Sequence, residues 1–371
     1  MQHTLEDVAA VYYGEGEQNK AKTAKILGLA RSTVVDSLTR YDMLKASGEL
    51  EKKAEPEFKR RNRELERLVK EQQSRIDKMS AAQVKVPKPV KRKPATDSFI
   101  RLIIPDVHGS AVDWDAFNAM LSDAKDLNPR EVVIGGDFID VGGFLAQHHV
   151  MGYVAQTSYT FEEDIATANK LLDLLQEACP NADVHYLYGN HEDRIEKWIC
   201  TQTLRNPKDA AYLAKLFSVE NQLHLDTRGF KVYRRSEHYD NLPIPGTIKL
   251  GLCHFTHGVS TSENAASAHV KTFAGNVVYF HTHRQDSASI RTVKDGLVSA
   301  WNPGCLCKLQ PMWCAPRLTG WGHGFGVQIC QPSGEFLHIN VPVINGRSYL
   351  MDLTEKLNGK TKTNTANKKR T

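Results

Sequence analysis

FIRLIIPDVHG spans residues 99–109, and EVVIGGDFID spans residues 131–140. Each segment is a short apolar, β-branched run that ends at proline or glycine, which is typical of a buried strand. Similar runs predict strands over residues 183–188, 247–255 and 276–280. Amphipathic helices are predicted between strands, around Trp114, Phe117, Met120 and Leu121 and around Ile165, Ala168, Leu171, Leu172 and Leu175. This alternation predicts an α/β layered sheet, with a second sheet from later strands over 325–329 and 336–341.

Five motifs rich in histidine and carboxylate follow the predicted strands in a fixed order. They are Asp106-Val107-His108, Gly136-Asp137-Phe138-Ile139-Asp140, Gly189-Asn190-His191-Glu192, Thr256-His257-Gly258 and His281-Thr282-His283. Side chains that follow strands lie at the carboxyl edge of an α/β sheet, where such folds place their active sites. The motifs supply enough Asp, His and Asn to hold two metal ions, and such a pair clamps the attacking and leaving oxygens of a phosphate ester.

The 371-residue chain has an uneven distribution of charge. Residues 51–95 carry 15 basic and 7 acidic side chains, and residues 355–371 carry 6 basic and 1 acidic side chain. Residues 96–354 carry 21 basic and 28 acidic side chains. An acidic core suits cations, whereas basic arms either bind a polyanion such as nucleic acid or remain simply solvated.

The cysteines and the hydropathy of the chain indicate in which cellular compartment we expect the protein. Seven cysteines are scattered along the chain, which fits a reducing compartment better than a disulfide framework. No apolar run approaches the length of a membrane span, and the N-terminus lacks the apolar stretch of a signal peptide. We therefore expect a cytoplasmic protein without a membrane partner.

Residues 1–48 predict three short helices that resemble a helix-turn-helix DNA-binding domain. The resemblance rests on small Ala24 in the second helix, Gly28 at the turn, and apolar Val34 and Leu38 in the third helix. The third helix, which we expect Ser32 or Thr33 to cap, would present polar side chains to a DNA major groove. These are Arg31, Ser32, Thr33, Asp36 and Arg40. The alternative is a small helical bundle that contacts other proteins.

A charged segment over residues 49–82 is predicted to be helical. Apolar and amide side chains recur at spacings of three and four residues from 58 to 79, as in a short coiled coil through which the chain would form a homodimer. A single solvated helix is the alternative. Residues 83–97 form a basic, proline-rich linker, and residues 355–371 are predicted to be a disordered basic tail.

The five motifs together resemble those of the calcineurin-like metallophosphoesterase superfamily over residues 99–345, within a domain predicted over 98–354. The resemblance implies a double β-sandwich flanked by helices. It implies that Asp106, His108 and His283 hold a first metal ion. It further implies that Asn190, His257 and His281 hold a second ion, and that Asp137 bridges both. His257 is preferred over the nearby His254 because a glycine follows it, as in the superfamily pattern.

The resemblance also implies roles around the metal ions. His191 would protonate the leaving oxygen or stabilise the transition state, Asp140 would orient His191, and Arg194 would contact a phosphate oxygen. Oxygen and imidazole ligands without a thiolate suit two divalent ions, with Mn²⁺ expected and Fe, Zn²⁺ or Ni²⁺ as alternatives. Phe280 replaces the glycine that usually precedes the last His-x-His, which we expect to alter a turn without removing a ligand.

Two later segments contain residues whose role the sequence does not decide. Cys305, Cys307, Cys314 and His323 have poor spacing for a zinc site and are interpreted as ordinary reduced thiols and an ordinary imidazole. The glycine- and aromatic-rich stretches at 301–304 and 321–326 are interpreted as structural turns, or as a rim over the site that stacks on bases.

The combined features predict a metal-dependent phosphoesterase acting on nucleic acid, either a nuclease or a DNA end-processing enzyme. The arrangement of domains resembles that of phage or prophage proteins. One alternative is a phosphatase or phosphodiesterase acting on nucleotides or phosphoproteins, although Val141 stands where the Ser/Thr protein phosphatases of the superfamily carry arginine. A non-catalytic DNA-binding regulator is the other alternative.

Overall fold

The computed structural model describes residues 3–47, 95–141, 159–203, 209–311, 314 and 317–350. The predicted coiled coil at 58–79, the linker as far as residue 94 and the basic tail at 355–371 lie outside the described residues. The chain divides into two units, Met1–Val84 and Lys85–Thr371. No helix in the described ranges is long and apolar enough to cross a membrane.

The described residues of the first unit, 3–47, form three helices: α1 (Leu5–Tyr13), α2 (Lys20–Leu27) and α3 (Arg31–Ala46). Their shared core consists of Val8, Ala9, Ala24, Val34 and Leu38. Gly28 ends α2 with a φ of 66°, a left-handed conformation that glycine adopts without strain.

The predicted cap of α3 was wrong. The helix begins at Arg31, so its N-cap is Ala30, which makes no side-chain hydrogen bond, and Ser32 and Thr33 lie inside the first turn. Both side chains are exposed there. The helix therefore relies on the burial of Val34 and Leu38 for its stability and not on a capping hydroxyl.

In the second unit, the larger sheet places its parallel strands side by side. Its strands are β1 (Phe99–Ile104), β2 (Glu131–Ile134), β3 (Asp183–Leu187), β4 (Lys231–Tyr233), β10 (Gly324–Cys330), β11 (Phe336–Ile344) and β12 (Arg347–Ser348). Within the described ranges their order is β12-β11-β10-β1-β2-β3-β4. β1 to β4 run parallel, whereas β10 pairs antiparallel with β1.

The smaller sheet contains a pair of strands that the sequence predicted as one. Its strands are β5 (Thr247–Leu250), β6 (Cys253–Thr256), β7 (Asn276–Tyr279), β8 (Gln285–Thr292) and β9 (Gly296–Pro303), in the order β5-β6-β7-β9-β8 over the described residues. Gly251, with a φ of 64°, turns the predicted strand 247–255 into the antiparallel hairpin β5–β6. β6, β7 and β9 run parallel.

Helices cover the outer faces of the two sheets, and a narrow core joins the inner faces. The helices of this unit are α4 (Trp114–Leu127), α5 (Phe161–Ala178), α6 (Asn190–Thr203), α7 (Ala210–Phe217), the single turn α8 (Val219–Gln222) and α9 (Ala265–Phe273). Ile103 and Val133 of the larger sheet pack with Phe255 and Val278 of the smaller sheet. The unit is thus a β-sandwich flanked by helices, which confirms the predicted fold class. The predicted composition of the second sheet was wrong: the strands expected there at 325–329 and 336–341 are β10 and β11, which join the larger sheet because β10 pairs with β1.

Candidate metal centre

Five loops bring the motif side chains to one edge of the sandwich. They follow β1, β2, β3, β6 and β7 and carry Asp106, Asp137, Asn190, His257 and His281 respectively. Because β1 to β3 are parallel, and β6 and β7 are parallel, the loops of each sheet leave it at its carboxyl edge. The fold therefore gathers residues that lie far apart in the sequence.

Two glycines allow the loops after β2 and β3 to approach each other. A Cβ atom on Gly136, whose φ is +94°, would lie 2.4 Å from the backbone nitrogen of Gly189. A Cβ atom on Gly189 would lie 2.1 Å from Oδ1 of Asp137. Neither position has room for a side chain, and the close approach places Oδ1 of Asp137 where it accepts a 2.8 Å hydrogen bond from the backbone N–H of His191.

Asp106, His108 and His283 form the first half of the cluster. The distance from Nε2 of His283 to Oδ2 of Asp106 is 2.9 Å, and the distance from Nε2 of His108 to Nε2 of His283 is 3.1 Å. The second ring nitrogen of His108, Nδ1, lies 3.0 Å from Oδ1 of Asp140. All four side chains are buried.

Asn190, His257 and His281 form the second half of the cluster. Nε2 of His257 lies 3.1 Å from Oδ1 of Asn190 and 3.2 Å from Oδ2 of Asp137. Nδ1 of His257 donates a 2.9 Å hydrogen bond to the carbonyl of Gly135, which fixes the ring. Ligand atoms of Asp137, His257 and His281 lie within 4.8 Å of one another, and Asp137 is equally close to His108 and His191. Asp137 thus belongs to both halves.

The contact distances and the donor set suit metal ions. Two ligand atoms that bind one ion at about 2.1 Å and at right angles lie about 3 Å apart, close to the spacings of the ligand pairs described above. Nδ1 of His283 is buried and has no hydrogen-bond partner among the described residues. A buried polar atom without a partner is costly, and Nε2 of the same ring, which faces Asp106 and His108, is the nitrogen placed to bind an ion.

The electrostatics of the cluster also favour cations. Burial alone would lower the pKa of His108 and of His257. The carboxylates of Asp140, Asp137 and Asp106 outweigh burial for His108, and those of Asp137 and Asp106 do so for His257, so both pKa values rise to about 9. Burial would likewise raise the pKa of Asp137, yet the neighbouring histidines hold it well below its usual range. The carboxylates therefore stay charged and attract positive charge into a buried space.

His191 is held by two neighbours that define its protonation state. Its Nδ1 donates a 2.6 Å hydrogen bond to the backbone carbonyl of Asp140, and its Nε2 accepts a 2.9 Å hydrogen bond from Nη2 of Arg194. A carbonyl only accepts and a guanidinium only donates, so the ring is neutral with its proton on Nδ1. Burial lowers the pKa of His191 to about 3, in agreement with these contacts.

The main contact between Asp140 and His191 differs from the sequence-based expectation. The backbone carbonyl of Asp140 holds His191, whereas its carboxylate makes its closer histidine contact with His108, at 3.0 Å against 3.4 Å for His191. The hydroxyl of Tyr159 also donates to the Asp140 carboxylate. Asp140 therefore orients two histidines through different groups.

Two buried carboxylates brace the loops, and the sequence analysis assigned a role to neither, although one of them, Glu192, belongs to the third motif. Glu192 accepts hydrogen bonds from the backbone N–H groups of Asp137, Phe138 and Gly189 and from the hydroxyl of Tyr186. Asp164, in the first turn of α5, accepts from the backbone N–H groups of Ser110, Asp140 and Val141. Their signal in the sequence is a carboxylate placed at the start of a helix beside a motif, which by itself is common.

Cys307, which was interpreted as an ordinary reduced thiol, lies beside the candidate metal centre. Its sulfur lies within 4.8 Å of ligand nitrogens of His108 and His283, which are themselves within that distance of each other. Burial, and then the adjacent Cys305, raise the pKa of the Cys307 thiol well above its usual range. Cys307 follows β9 and lies 24 positions beyond His283 in the chain, so motif spacing gave no indication of its position.

Other predicted residues are placed as follows. The ring of Phe280 is buried against Gly135, where an added Cβ would lie 2.4 Å from the ring, and His281 stays in the cluster. His254 is partly buried in β6, with Nδ1 3.0 Å from the carbonyl of Asn276, and stays out of the cluster. The five predicted DNA contacts on α3 are all exposed: Arg31, Ser32, Thr33, Asp36 and Arg40.

A groove of about 690 Å³ opens beside His281. Arg284, Arg317 and Trp321 line it, and its described lining contains no acidic side chain. The guanidinium of Arg317 makes no ion pair within the described part of the chain. The Trp321 ring stands edge-to-face against His283, with 4.1 Å between ring centroids, so the groove adjoins the candidate metal centre directly.

Comparisons with known proteins identify the family. The family model described as calcineurin-like phosphoesterase matches residues 101–310, which is 210 of the 371 residues. A search of curated proteins gave no match.

Solved structures similar to the chain include a Vps29 single mutant from Entamoeba histolytica, at 12% identity over 67% of this chain and 95% of that chain, with a TM-score of 0.34. They also include Yfce, a phosphoesterase from E. coli, at 13% identity over 65% of this chain and 98% of that chain, with a TM-score of 0.31. On the family match over more than half of its length, the chain belongs to the calcineurin-like phosphoesterase family of metal-dependent phosphoester hydrolases.

Proposed function

We propose that the protein hydrolyses phosphoester bonds in nucleic acid, as a nuclease or DNA end-processing enzyme that uses two divalent metal ions. The observation that supports a nucleic-acid substrate best is the groove beside His281, which combines two arginines with a partly exposed tryptophan. Arginine binds phosphate oxygens through paired N–H groups, and tryptophan stacks on bases of any sequence. A chain of nucleotides presents both chemical groups repeatedly.

The residues of the two half-clusters would hold the ions. Asp106, His108 and His283 suit the first ion, Asn190, His257 and His281 suit the second, and Asp137 is positioned to be shared. When bound, two such ions neutralise charge on the phosphoryl group and stabilise the attacking and leaving oxygens. Glu192 and Asp164 keep the ligand loops in place through their hydrogen bonds to backbone N–H groups.

Arg194 and His191 then act on charge that develops at the phosphate. In the described geometry Nε2 of His191 is an acceptor, so its ring carries no proton on the nitrogen that Arg194 contacts. Of the two roles considered for His191, this arrangement supports stabilisation of the transition state, with the Arg194 guanidinium providing the N–H groups. The side chain of Arg194 remains partly exposed and can reach a phosphate oxygen.

The N-terminal helices supply a second reason to expect nucleic acid. Arg31, Ser32, Thr33, Asp36 and Arg40 are all exposed along α3, whereas Val34 and Leu38 are buried against the other helices. This division of the helix suits insertion into a major groove, with the two arginines contacting phosphates or guanine edges. We propose that this unit directs the enzyme to DNA.

Substrate comparison tests the proposal. The metal-loaded protein is given single- and double-stranded DNA oligonucleotides and p-nitrophenyl phosphate, and the wild type is compared with Arg317→Ala and with Arg291→Ala. Arg291 is an exposed arginine on β8 that does not line the groove. We expect Arg317→Ala to lower kcat/KM for the oligonucleotide about 10-fold, because a charge-assisted hydrogen bond contributes about 1.5–3 kcal/mol.

The controls separate the alternatives. We expect Arg317→Ala to leave p-nitrophenyl phosphate hydrolysis unchanged and Arg291→Ala to affect neither substrate. Hydrolysis of the monoester alone by the wild type would replace the nuclease proposal with a phosphatase acting on nucleotides or phosphoproteins. DNA binding without metal-dependent turnover of any phosphoester would indicate a regulator.

A further inference from the structure

The segment after β9 contacts the first half of the metal cluster directly. The backbone N–H of Leu306 donates a 2.8 Å hydrogen bond to the carbonyl of Asp106, and Cys305 forms a β-bridge with Asp106. Cys307 forms a second bridge with Val112, and the ring of His323 lies 2.8 Å from the Cys307 carbonyl. The backbone of Cys307 is therefore fixed on both sides, which also limits where its thiol can lie.

The thiol is buried among side chains that hold metals in other proteins. Cys307 is 3% exposed, and its sulfur and ligand nitrogens of His108 and His283 lie within 4.8 Å of one another. An ion bound to nitrogen at about 2.1 Å and to sulfur at about 2.3 Å holds those two atoms up to about 4.4 Å apart. The cluster thus needs only small shifts to place all three atoms on one ion.

The second ring nitrogen of His283 has an unusual environment, while Nε2 of the same ring faces Asp106 and His108. Nδ1 of His283 is buried with no hydrogen-bond partner among the described residues. Ligating histidines normally have their second nitrogen held by an oxygen, and none of the described residues provides one here. Nδ1 of His283 is therefore held by no oxygen of the described residues, and Nε2 is the nitrogen that faces the possible ligand atoms of Asp106 and His108.

We propose that Cys307 is an additional ligand of the first metal ion, a role that rests on the proposed metal centre but not on the identity of the substrate. The thiol releases its proton to solvent when the thiolate binds the ion. A sulfur ligand favours borderline ions such as Zn²⁺, Co²⁺ or Fe²⁺ over Mn²⁺ or Mg²⁺, which prefer oxygen. Cys307 would thus determine which ion occupies the first position.

Cys305 provides a matched control. It is fully buried two residues away, and its Sγ lies 3.9 Å from the carbonyl of Cys307. Its sulfur is absent from the groups of possible ligands in the described part of the chain. Cys305→Ser therefore tests the loss of a buried thiol from the same segment without the loss of the proposed ligand.

Cobalt substitution tests the proposal without measuring activity. The full-length protein is loaded with Co²⁺, its metal content is measured by elemental analysis, and its near-ultraviolet spectrum is recorded. We expect the wild type and Cys305→Ser to show a thiolate-to-cobalt charge-transfer band, and Cys307→Ser to lack it. We also expect Cys307→Ser to lose at least about 10-fold in affinity for Zn²⁺ relative to Mn²⁺.

Three results would overturn the proposal. The wild type could bind cobalt without the band, Cys307→Ser could retain the band, or the wild type could bind no ion at all. The last result would remove the metal centre as well, whereas bound ions without DNA cleavage would leave the role of Cys307 intact. If Cys307→Ser does not fold, X-ray absorption of the Zn²⁺-loaded wild type decides: a sulfur neighbour at about 2.3 Å supports the proposal, and only nitrogen and oxygen neighbours contradict it.

Discussion

Glu192 is the residue on which the geometry of the candidate site depends most directly. Its carboxylate accepts hydrogen bonds from backbone N–H groups in two different ligand loops and from Tyr186. Glu192→Gln would turn one acceptor into a donor that faces these N–H groups. We expect the free energy of unfolding to fall by about 1–3 kcal/mol, since buried donors would lose their partners.

Chemical denaturation checks this expectation, with Glu196→Gln as the control on the same helix. Glu196 is partly exposed and its only described ion pair, with Arg234, spans 3.7 Å, so we expect its replacement to cost less than about 1 kcal/mol. Equal stability losses in the two variants would show that Glu192 does not brace the loops.

His185 gives the stability of the fold a dependence on pH. Burial, with Lys231 and Arg101 nearby, lowers the pKa of His185 to about 3, below the value of about 6.5 for an unfolded chain. As the pH falls below about 6.5, the unfolded chain takes up a proton that the folded protein does not. Stability due to neutral His185 is therefore complete above about pH 6.5 and is lost progressively towards pH 3.

Denaturation curves at several pH values measure this effect. We expect the wild type to lose about 2 kcal/mol more than His185→Gln between pH 6.5 and pH 5, at about 1.4 kcal/mol per pH unit. The comparison removes the contributions of other groups, including His338, whose pKa burial also lowers, to about 4. Parallel pH profiles of the two proteins would contradict this role of His185.

The loops after β2 and β3 pack closely against each other, and we expect metal binding to depend on this contact. Gly189→Ala would place a Cβ 2.1 Å from the Asp137 carboxylate, and the loops would separate. We expect affinity for divalent ions to fall at least about 10-fold, because displaced supporting groups typically weaken metal sites by 10- to 100-fold. Isothermal titration with Zn²⁺ measures the change.

Gly275→Ala serves as the control for this substitution. An added Cβ there would meet its nearest neighbour at 3.5 Å, an ordinary contact, and the residue precedes β7 away from the ligand loops. We expect its metal affinity to match that of the wild type. Unchanged affinity in Gly189→Ala would show that the loop approach is not required for the site.

The exposed arginines of α3 support a prediction about DNA binding. Each phosphate contact contributes about 0.9 to the slope of log affinity against log salt concentration. If Arg31 and Arg40 both contact phosphates, the double variant Arg31→Ala with Arg40→Ala lowers this slope by about 2. A double variant Thr39→Ala with Lys45→Ala changes two other exposed positions of the helix and should lower it by less than 1.

Fluorescence anisotropy with duplex DNA at several salt concentrations measures these slopes. Equal slopes for the wild type and the arginine double variant would favour the alternative of a helical bundle for protein contacts.

Sequence patterns anticipated some elements better than others, for physical reasons. Buried parallel strands such as β1 and β2 are continuous apolar runs, and their ends are marked by glycine or proline. β8 reads QDSASIRT, and only every second residue is partly buried, so its hydrophobic signal is weak. The cap of α3 was mispredicted because three polar residues at its start offered more than one position for the first turn.

At the scale of the whole molecule, the order of the motifs predicted which loops meet. The loops that follow parallel strands all lie at the carboxyl edge of their sheet. Contacts that depend on tertiary packing were not predictable in the same way. Cys307 reaches the cluster through bridges to Asp106 and Val112, and Glu192 reaches two loops from a helix. Cys307 has no distinctive local pattern, and the motif that contains Glu192 does not indicate which loops its carboxylate reaches.

The central claim is that the buried cluster around Asp137 catalyses phosphoester hydrolysis in nucleic acid. The most direct measurement is the cleavage rate of a labelled DNA oligonucleotide by full-length wild type and Asp137→Asn, each supplied with Mn²⁺ or Zn²⁺. Asp137 contacts both halves of the cluster, so we expect the variant to be at least about 100-fold slower. Cleavage of DNA by Asp137→Asn at the wild-type rate, or no cleavage by the metal-loaded wild type, would contradict the account.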